Sequence, residues 1–146
     1  MRNLIASFLL FSLFTVFAVA GGEKKAAPKI EGTWSATGGS SEGKKVPDDL
    51  IAKAMFVGVF KDGKYKVSVM GKDLETGTYK VDVSKKPATI DLTAADGKDE
   101  GKTQLGIFII EGDKLTIAVG KADSKDRPKS FEGGDGVEVM LMTRNK

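Results

Sequence analysis

The chain has 146 residues, of which 40% are hydrophobic and 29% charged, and it contains neither histidine nor cysteine. This composition is that of one ordinary globular domain, and it excludes a disordered or membrane-embedded chain. The missing residue types exclude disulfides, thiolate nucleophiles, imidazole bases and Cys/His zinc sites. The formal charge of +3 comes from 23 basic and 20 acidic residues interspersed along the chain. Because nucleic-acid binding needs clustered cations, we do not expect it here.

Residues 1–20 (MRNLIASFLLFSLFTVFAVA) have the layout of a cleavable signal peptide. Arg2 provides the positive start, residues 4–17 form an uncharged apolar run, and Ala18-Val19-Ala20 supplies the small–x–small cleavage pattern. The alternative, an uncleaved anchor, is disfavoured because a spanning helix needs about 20 apolar residues. No cysteine follows the run, so a lipoprotein anchor is excluded. We predict an exported chain, periplasmic or extracellular, without a stable membrane anchor.

The remainder divides into a flexible lead-in, residues 21–29, and one domain, residues 30–146. Pro47 followed by two aspartates predicts a short helix over residues 46–55. Asp62-Gly63 between two apolar runs is the strongest hairpin signal in the chain. Alternation and turn residues predict eight strands, over residues 32–37, 56–60, 65–70, 76–83, 89–93, 104–110, 115–119 and 137–144.

Eight short antiparallel strands leave exposed edges unless the sheet closes on itself. The succession of hairpins favours an all-β, eight-stranded antiparallel barrel, with the helix between its first and second strands. A two-sheet sandwich is the alternative.

Four segments of the chain carry a family resemblance: EGTW at 31–34, ETGTYKVDVSKKPATIDLT at 75–93, GKTQLGIF at 101–108, and RPK at 127–129 with Phe131. Together they resemble an uncharacterised lipocalin-like domain family that is abundant in planctomycete bacteria. The resemblance covers about residues 30–144. It implies a lipocalin-like barrel that is usually exported, and it implies no particular activity.

The Gly-x-Trp element, Gly32 to Trp34, also resembles the opening strand of true lipocalins. There the tryptophan closes one end of the barrel and an arginine of the last strand packs across its ring, a place that Arg144 occupies here. Alternation in the last strand predicts that Val137, Val139 and Leu141 face inward, which would direct Arg144 outward unless a bulge shifts the register. We nevertheless predict that Trp34 is buried and lies within about 6 Å of Arg144.

Alternation also predicts which side chains line the barrel. The plain interpretation is a filled core, and the functional one is a pocket in which two tyrosine hydroxyls orient a ligand. The candidate ligand-binding residues are Tyr65, Val67, Tyr79, Val81, Ile90, Leu105, Ile107, Ile117 and Val139. We predict no catalytic residues and no cofactor. We also predict no metal site, because the acidic loops 96–100 and 123–126 lack the ligand spacing of calcium loops.

Some segments are apolar on both faces: residues 56–60 and 105–110, and the last strand, where Met140 and Met142 form a second row. One face of each must lie outside the barrel. Either the helix around Leu50 and Ile51 covers these faces, or they bind a protein partner or a second copy. The leading hypothesis is an exported, non-enzymatic barrel that binds a small apolar ligand. The alternative is an envelope or extracellular protein–protein interaction module with a filled barrel core.

Overall fold

Short alternating segments separated by glycine- and aspartate-containing turns form the strands of this protein. A computed structural model describes residues 29–146, so the predicted signal peptide and most of the lead-in lie outside the described residues. No helix within residues 29–146 is long and apolar enough to cross a membrane. The elements are β1 (Gly32–Ser41), β2 (Lys44–Lys45), α1 (Asp48–Ala54), β3 (Val57–Lys61), β4 (Lys64–Val69), β5 (Lys72–Asp82), β6 (Ala88–Ala94), β7 (Thr103–Glu111), β8 (Lys114–Gly120) and β9 (Val137–Arg144).

The sheet closes into a barrel because β1 pairs with both β3 and β9. From β3 to β9 each strand pairs antiparallel with the next, and the two-residue β2 pairs only with the end of β1. Eight strands therefore form the barrel wall, and α1 lies between its first and second strands. The predicted fold class is confirmed, and the sandwich alternative is wrong.

The antiparallel order gives the barrel two distinct ends. One end, which we call the closed end, holds the start of β1, the end of β9 and the connections 62–63, 83–87 and 112–113. The other, the open end, holds the segment 42–56 with α1, the turn 70–71 and the longer loops 95–102 and 121–136. Short connections leave little chain at the closed end, whereas the open end is surrounded by loops.

The first strand is longer than its pattern predicts. Residues 38–41 lie beyond the predicted strand 32–37, yet they continue β1 and pair with β9 as far as Ser41 opposite Glu138. A register shift between Ala36 and Gly38 bends the strand at this point. The glycines predict a turn from local preference alone, but the long-range partner strand overrides that preference.

Apolar side chains form two separate groups, one inside the barrel and one outside. The interior core includes Trp34, Ile90, Phe108 and Leu115. We call the outward-facing group of Ile107, Ala118 and Val139 the outer cluster. Each of its members alternates along its strand with residues of the interior, which places it on the opposite face.

The last strand faces the other way from its prediction. Met140 and Met142 lie inside the barrel, whereas Val139 belongs to the outer cluster and Leu141 is 45% exposed. The predicted inward row of Val137, Val139 and Leu141 is therefore wrong, and Val137 packs against the outer cluster. Since Arg144 shares the face of the two methionines, it reaches the barrel end without a bulge in β9.

Strand β7 shows the same reversal. Gly106 is buried opposite Ile90, and Phe108 belongs to the interior core. Leu105 and Ile107, both predicted to line the barrel, therefore lie on its outer face. Both faces of this segment are apolar, so alternation alone could not distinguish them.

The loop 121–136 covers the outer cluster, and the helix does not. Phe131 packs against the outer cluster. Arg127 anchors the loop by donating hydrogen bonds to the carbonyl oxygens of Ile90 and Gly106, at 3.1 and 2.8 Å, and to Asp91 at 2.7 Å. Helix α1 contains no buried residue and does not contribute to the outer cluster, so its predicted cover of residues 105–110 and of the last strand is wrong.

The alternation of β5 also predicts the wrong position for Val81. It pairs with Ile90 but is 41% exposed. The pairing of β4 with β5 ends at Lys64 opposite Thr78, so β5 continues past its neighbour and Val81 protrudes beyond the packed interior.

Candidate functional site

The closed end is sealed by Trp34 and the chain that precedes β1. Trp34 is 0% exposed, and its indole N–H donates a hydrogen bond of 2.7 Å to the carbonyl oxygen of Ile30. Ile30 is itself buried in the interior core. The indole therefore has its polar atom satisfied and its ring packed, as a buried tryptophan requires.

Arg144 lies over Trp34 and holds the incoming chain. Its guanidinium carbon is 4.1 Å from the indole centroid, so the predicted contact is present. The guanidinium also donates to the carbonyl oxygens of Glu31, at 2.5 Å, and Lys29, at 2.9 Å. Gly32 has a φ of +133°, and a Cβ there would lie 2.5 Å from the guanidinium. Only glycine lets the chain pass beneath the arginine.

Toward the open end the barrel is hollow. A cavity of about 290 Å³, which we call the open-end cavity, lies between the interior core and the surrounding loops. This volume is at the lower end of the range of small-molecule sites, about 300–1,000 Å³, and far exceeds the space of one or two waters. The apolar side chains of its wall include Phe56, Phe60, Val67, Ile117, Met140 and Met142.

The structure divides the predicted ligand-binding residues into three sets. Tyr65, Val67 and Ile117 line the open-end cavity. Tyr79 and Ile90 belong to the interior core without lining the cavity, and Tyr79 packs edge-on against Phe60 with ring centroids 5.3 Å apart. The rest do not line it either: Val81, Leu105, Ile107 and Val139.

The central polar feature of the cavity is a hydrogen bond between β4 and β5. The Tyr65 hydroxyl donates to Oε1 of Glu75 at 2.6 Å, and Tyr65 is only 4% exposed. Burial and the adjacent Glu75 carboxylate raise the pKa of the Tyr65 hydroxyl well above its ordinary value. This hydroxyl therefore stays protonated and remains a donor to Glu75 throughout the range in which proteins are normally studied.

A glycine makes room for this tyrosine. Gly77 lies opposite Tyr65 in the β4–β5 pair, and a Cβ at Gly77 would come within 2.6 Å of the Tyr65 ring. The ring can therefore lie across β5 only because position 77 has no side chain.

The loop 95–102 brings charged residues to the mouth of the cavity. Asp96 accepts hydrogen bonds from the backbone N–H and the hydroxyl of Thr76, both at 2.6 Å, which ties the loop to β5. These bonds lower the pKa of the Asp96 carboxyl. Lys98 and Asp99 then line the cavity, with Asp99 3.5 Å from Lys102. Glu138 of β9 and Gln104 of β7 complete the polar lining.

Sequence reasoning missed most of this lining, although one signal for it was present. Met142 and Met140 lie two and four residues before Arg144, so placing Arg144 over Trp34 requires both methionines to face inward. Glu75 and the loop residues carry no comparable signal, because their position depends on how β5 and the loop pack against β4.

A second depression lies on the outer face of β3, β4 and β5. Lys61, Lys64 and Lys66 border it with Thr76 and Thr78, and it opens broadly to solvent. Its exposed polar walls offer little burial to a ligand, whereas the open-end cavity offers enclosure and apolar contact.

The cavity combines an apolar wall with a few polar groups. Within residues 29–146, no three carboxylates lie close enough together to hold a metal ion. The Tyr65–Glu75 pair can orient a ligand through hydrogen bonds, and the apolar wall can bury its body.

Two comparisons bear on the family of this chain. No protein-family model matches the chain, and no curated protein matches it. The resemblance to the planctomycete lipocalin-like family therefore stays a prediction.

Proposed function

We propose that this protein is an exported, non-enzymatic carrier that binds a small, mainly apolar molecule in the open-end cavity. The observation that carries the proposal is the cavity itself, about 290 Å³ of space walled by aromatic, aliphatic and methionine side chains. An apolar site with a few placed polar groups is the usual form of a small-molecule site. The sealed closed end supports the same function, because a carrier needs one entrance and a closed opposite end that retains the ligand.

The experiment is a titration with prodan, a neutral naphthalene dye whose emission shifts to the blue in an apolar site. We expect saturable binding with one site per chain. In Met140→Trp the larger side chain should fill the cavity and weaken binding at least tenfold.

The matched control is Leu141→Trp, which adds an indole to the next residue on the outer face of the barrel. It should bind the dye like the unchanged protein. Equal binding by all three proteins would locate the dye on the surface, and absence of binding by the unchanged protein would overturn the carrier proposal.

Export is part of the proposal and has its own test. The sequence pattern places cleavage after Ala20, so the intact mass of protein recovered from its host should correspond to a chain that begins at Gly21. A mass that includes residues 1–20 would contradict cleavage.

A protein–protein interaction module is the second candidate, and the surface of the open end favours it. Met55, Met70 and Leu74 are all more than half exposed there, and the Met70 N–H donates to the carbonyl oxygen of Ala54, which joins two of these segments. Such a rim suits either ligand entry or a docking partner. Sedimentation over a range of concentrations tests whether the rim binds a second copy of the chain. If it does, the protein should dimerise, and Met70→Glu should abolish the dimer.

A further inference from the structure

The open-end cavity has an acidic lining in a chain whose net charge is positive. Among residues 29–146, three carboxylates border it, those of Glu75, Asp99 and Glu138, against the single ammonium of Lys98. The whole chain carries a formal charge of +3. The cavity thus has the opposite sign from the protein as a whole, and low-dielectric walls strengthen the effect of such charges on a bound molecule.

The Tyr65–Glu75 pair offers a ligand hydrogen-bond acceptors and no donor. The Tyr65 proton is committed to Oε1 of Glu75, at 2.6 Å. What remains for a ligand is the phenolic oxygen of Tyr65 and the second carboxylate oxygen of Glu75, and both accept hydrogen bonds. One N–H of Gln104 is likewise committed, to the carbonyl oxygen of Gly120 at 3.0 Å.

The lysines of the loop 95–102 do not neutralise this site. Lys102 lies 3.5 Å from Asp99 and so offsets that carboxylate. Lys98 can offset one more, which leaves one carboxylate in excess around the cavity. Glu75, hydrogen-bonded to an uncharged tyrosine, is the carboxylate best placed to meet a ligand beside the apolar wall.

We propose that the ligand of this cavity is an amphiphilic amine: an apolar body in the barrel and a protonated nitrogen that donates to Glu75 and Tyr65. This inference rests on the proposed carrier function and specifies its ligand class. The acceptor groups discriminate against fatty acids and other anionic amphiphiles, whose carboxylates would face like charge and find no free hydroxyl proton.

The test compares three molecules that share an eight-carbon chain: octylammonium, octanol and octanoate. Each is titrated at pH 7 against the protein loaded with prodan, and displacement reports the dissociation constant. At this pH the primary amine is charged. We expect octylammonium to bind at least tenfold more tightly than octanol, and octanoate to bind most weakly.

The variant Glu75→Gln tests how much the charge of the Glu75 carboxylate contributes to amine binding. The glutamine retains an oxygen that can accept the Tyr65 proton, so the fold and the tyrosine position are preserved. We expect octylammonium to lose about tenfold in affinity while octanol changes less than twofold. The matched control is Glu111→Gln, which removes one carboxylate at the far end of β7, at the closed end, and should leave all three affinities unchanged.

The outcomes separate this inference from the carrier function. If prodan binds in the cavity but octanoate or octanol binds as tightly as octylammonium, the amine proposal is overturned and the carrier remains. If Glu75→Gln and Glu111→Gln weaken octylammonium equally, the attraction is a general charge effect, which also overturns it. If prodan does not bind at all, the carrier function itself fails.

Discussion

The two ends of the barrel differ in how their side chains are used. The largest fully buried side chains, Trp34, Ile90 and Leu115, all lie in the half near the closed end. The open half contains the cavity, the charged loop 95–102 and an exposed rim of methionine and leucine. Dense packing at one end and space at the other assign most of the stability to the closed half and the proposed binding site to the open half.

This division has a physical basis. Short connections at the closed end bring strand ends together, so one indole and the residues around it can fill the taper. Longer loops hold the strand ends apart at the open end and supply polar groups without filling the barrel. A protein built this way can change the loops around its proposed ligand site with little effect on the part that keeps the barrel folded.

The largest effect should come from Trp34→Ala. Removing a fully buried indole leaves a void at the closed end, and we expect the free energy of unfolding to fall by about 3–5 kcal/mol. Phe56→Ala, at the half-buried rim of the cavity, should cost only about 1–1.5 kcal/mol because no sealed void forms. Urea unfolding followed by circular dichroism measures both. Similar losses for the two variants would contradict a division of stability between the ends.

Arg144→Met should have the next largest effect. The variant loses the cation over the indole and two charge-assisted bonds to the carbonyl oxygens of Lys29 and Glu31, so we expect a loss of about 2 kcal/mol. Lys114→Met, an exposed change of equal charge at the same end, should stay within about 0.5 kcal/mol of the unchanged protein. Thermal unfolding of the two variants makes the comparison, and equal melting temperatures would show that the arginine contributes only charge.

For Tyr65→Phe, the pH dependence of the free energy of unfolding tests the buried hydroxyl of the open half. The pKa of Tyr65 is raised in the folded protein, so above pH 10, where an unfolded tyrosine ionises, only the unfolded state releases this proton. The Tyr65 contribution is therefore complete below pH 10 and declines as the pH rises further, by at most about 1.4 kcal/mol per pH unit. Between pH 9 and 11, stability should fall more steeply in the unchanged protein than in Tyr65→Phe. Parallel curves would argue against the buried hydroxyl.

The smallest effect should follow Asp96→Asn. Asp96 ties the loop 95–102 to Thr76 at the mouth of the cavity, far from the packed half. We expect faster hydrogen exchange of the Thr76 amide and no change in the unfolding midpoint. Because its pKa is lowered, the Asp96 carboxylate should hold the loop at neutral pH and release it only in acid. A clear shift of the midpoint would mean that the open end also supports the fold.

Prediction from the sequence succeeded where a pattern of residues was compatible with only one structure. Alternating strands and the Asp62-Gly63 turn indicated a barrel of eight strands, and the resemblance of Gly-x-Trp and Arg144 to lipocalins indicated the contact at the closed end. Prediction failed for Ile107 and Val139, whose strands are apolar on both faces. There the loop 121–136 buries the outer row almost as well as the barrel buries the inner one, so hydrophobicity does not distinguish the two.

The sequence by itself therefore determined the eight strands of the barrel wall and the Asp62-Gly63 turn, because each depends on residues close in the chain. Its resemblance to lipocalins indicated the Trp34–Arg144 contact. The tertiary structure alone decided which rows face inward, where the cavity lies and that Glu75 meets Tyr65. Those features depend on strand register and on the loops that pack around the open end, and register is a property of paired strands that no single strand contains.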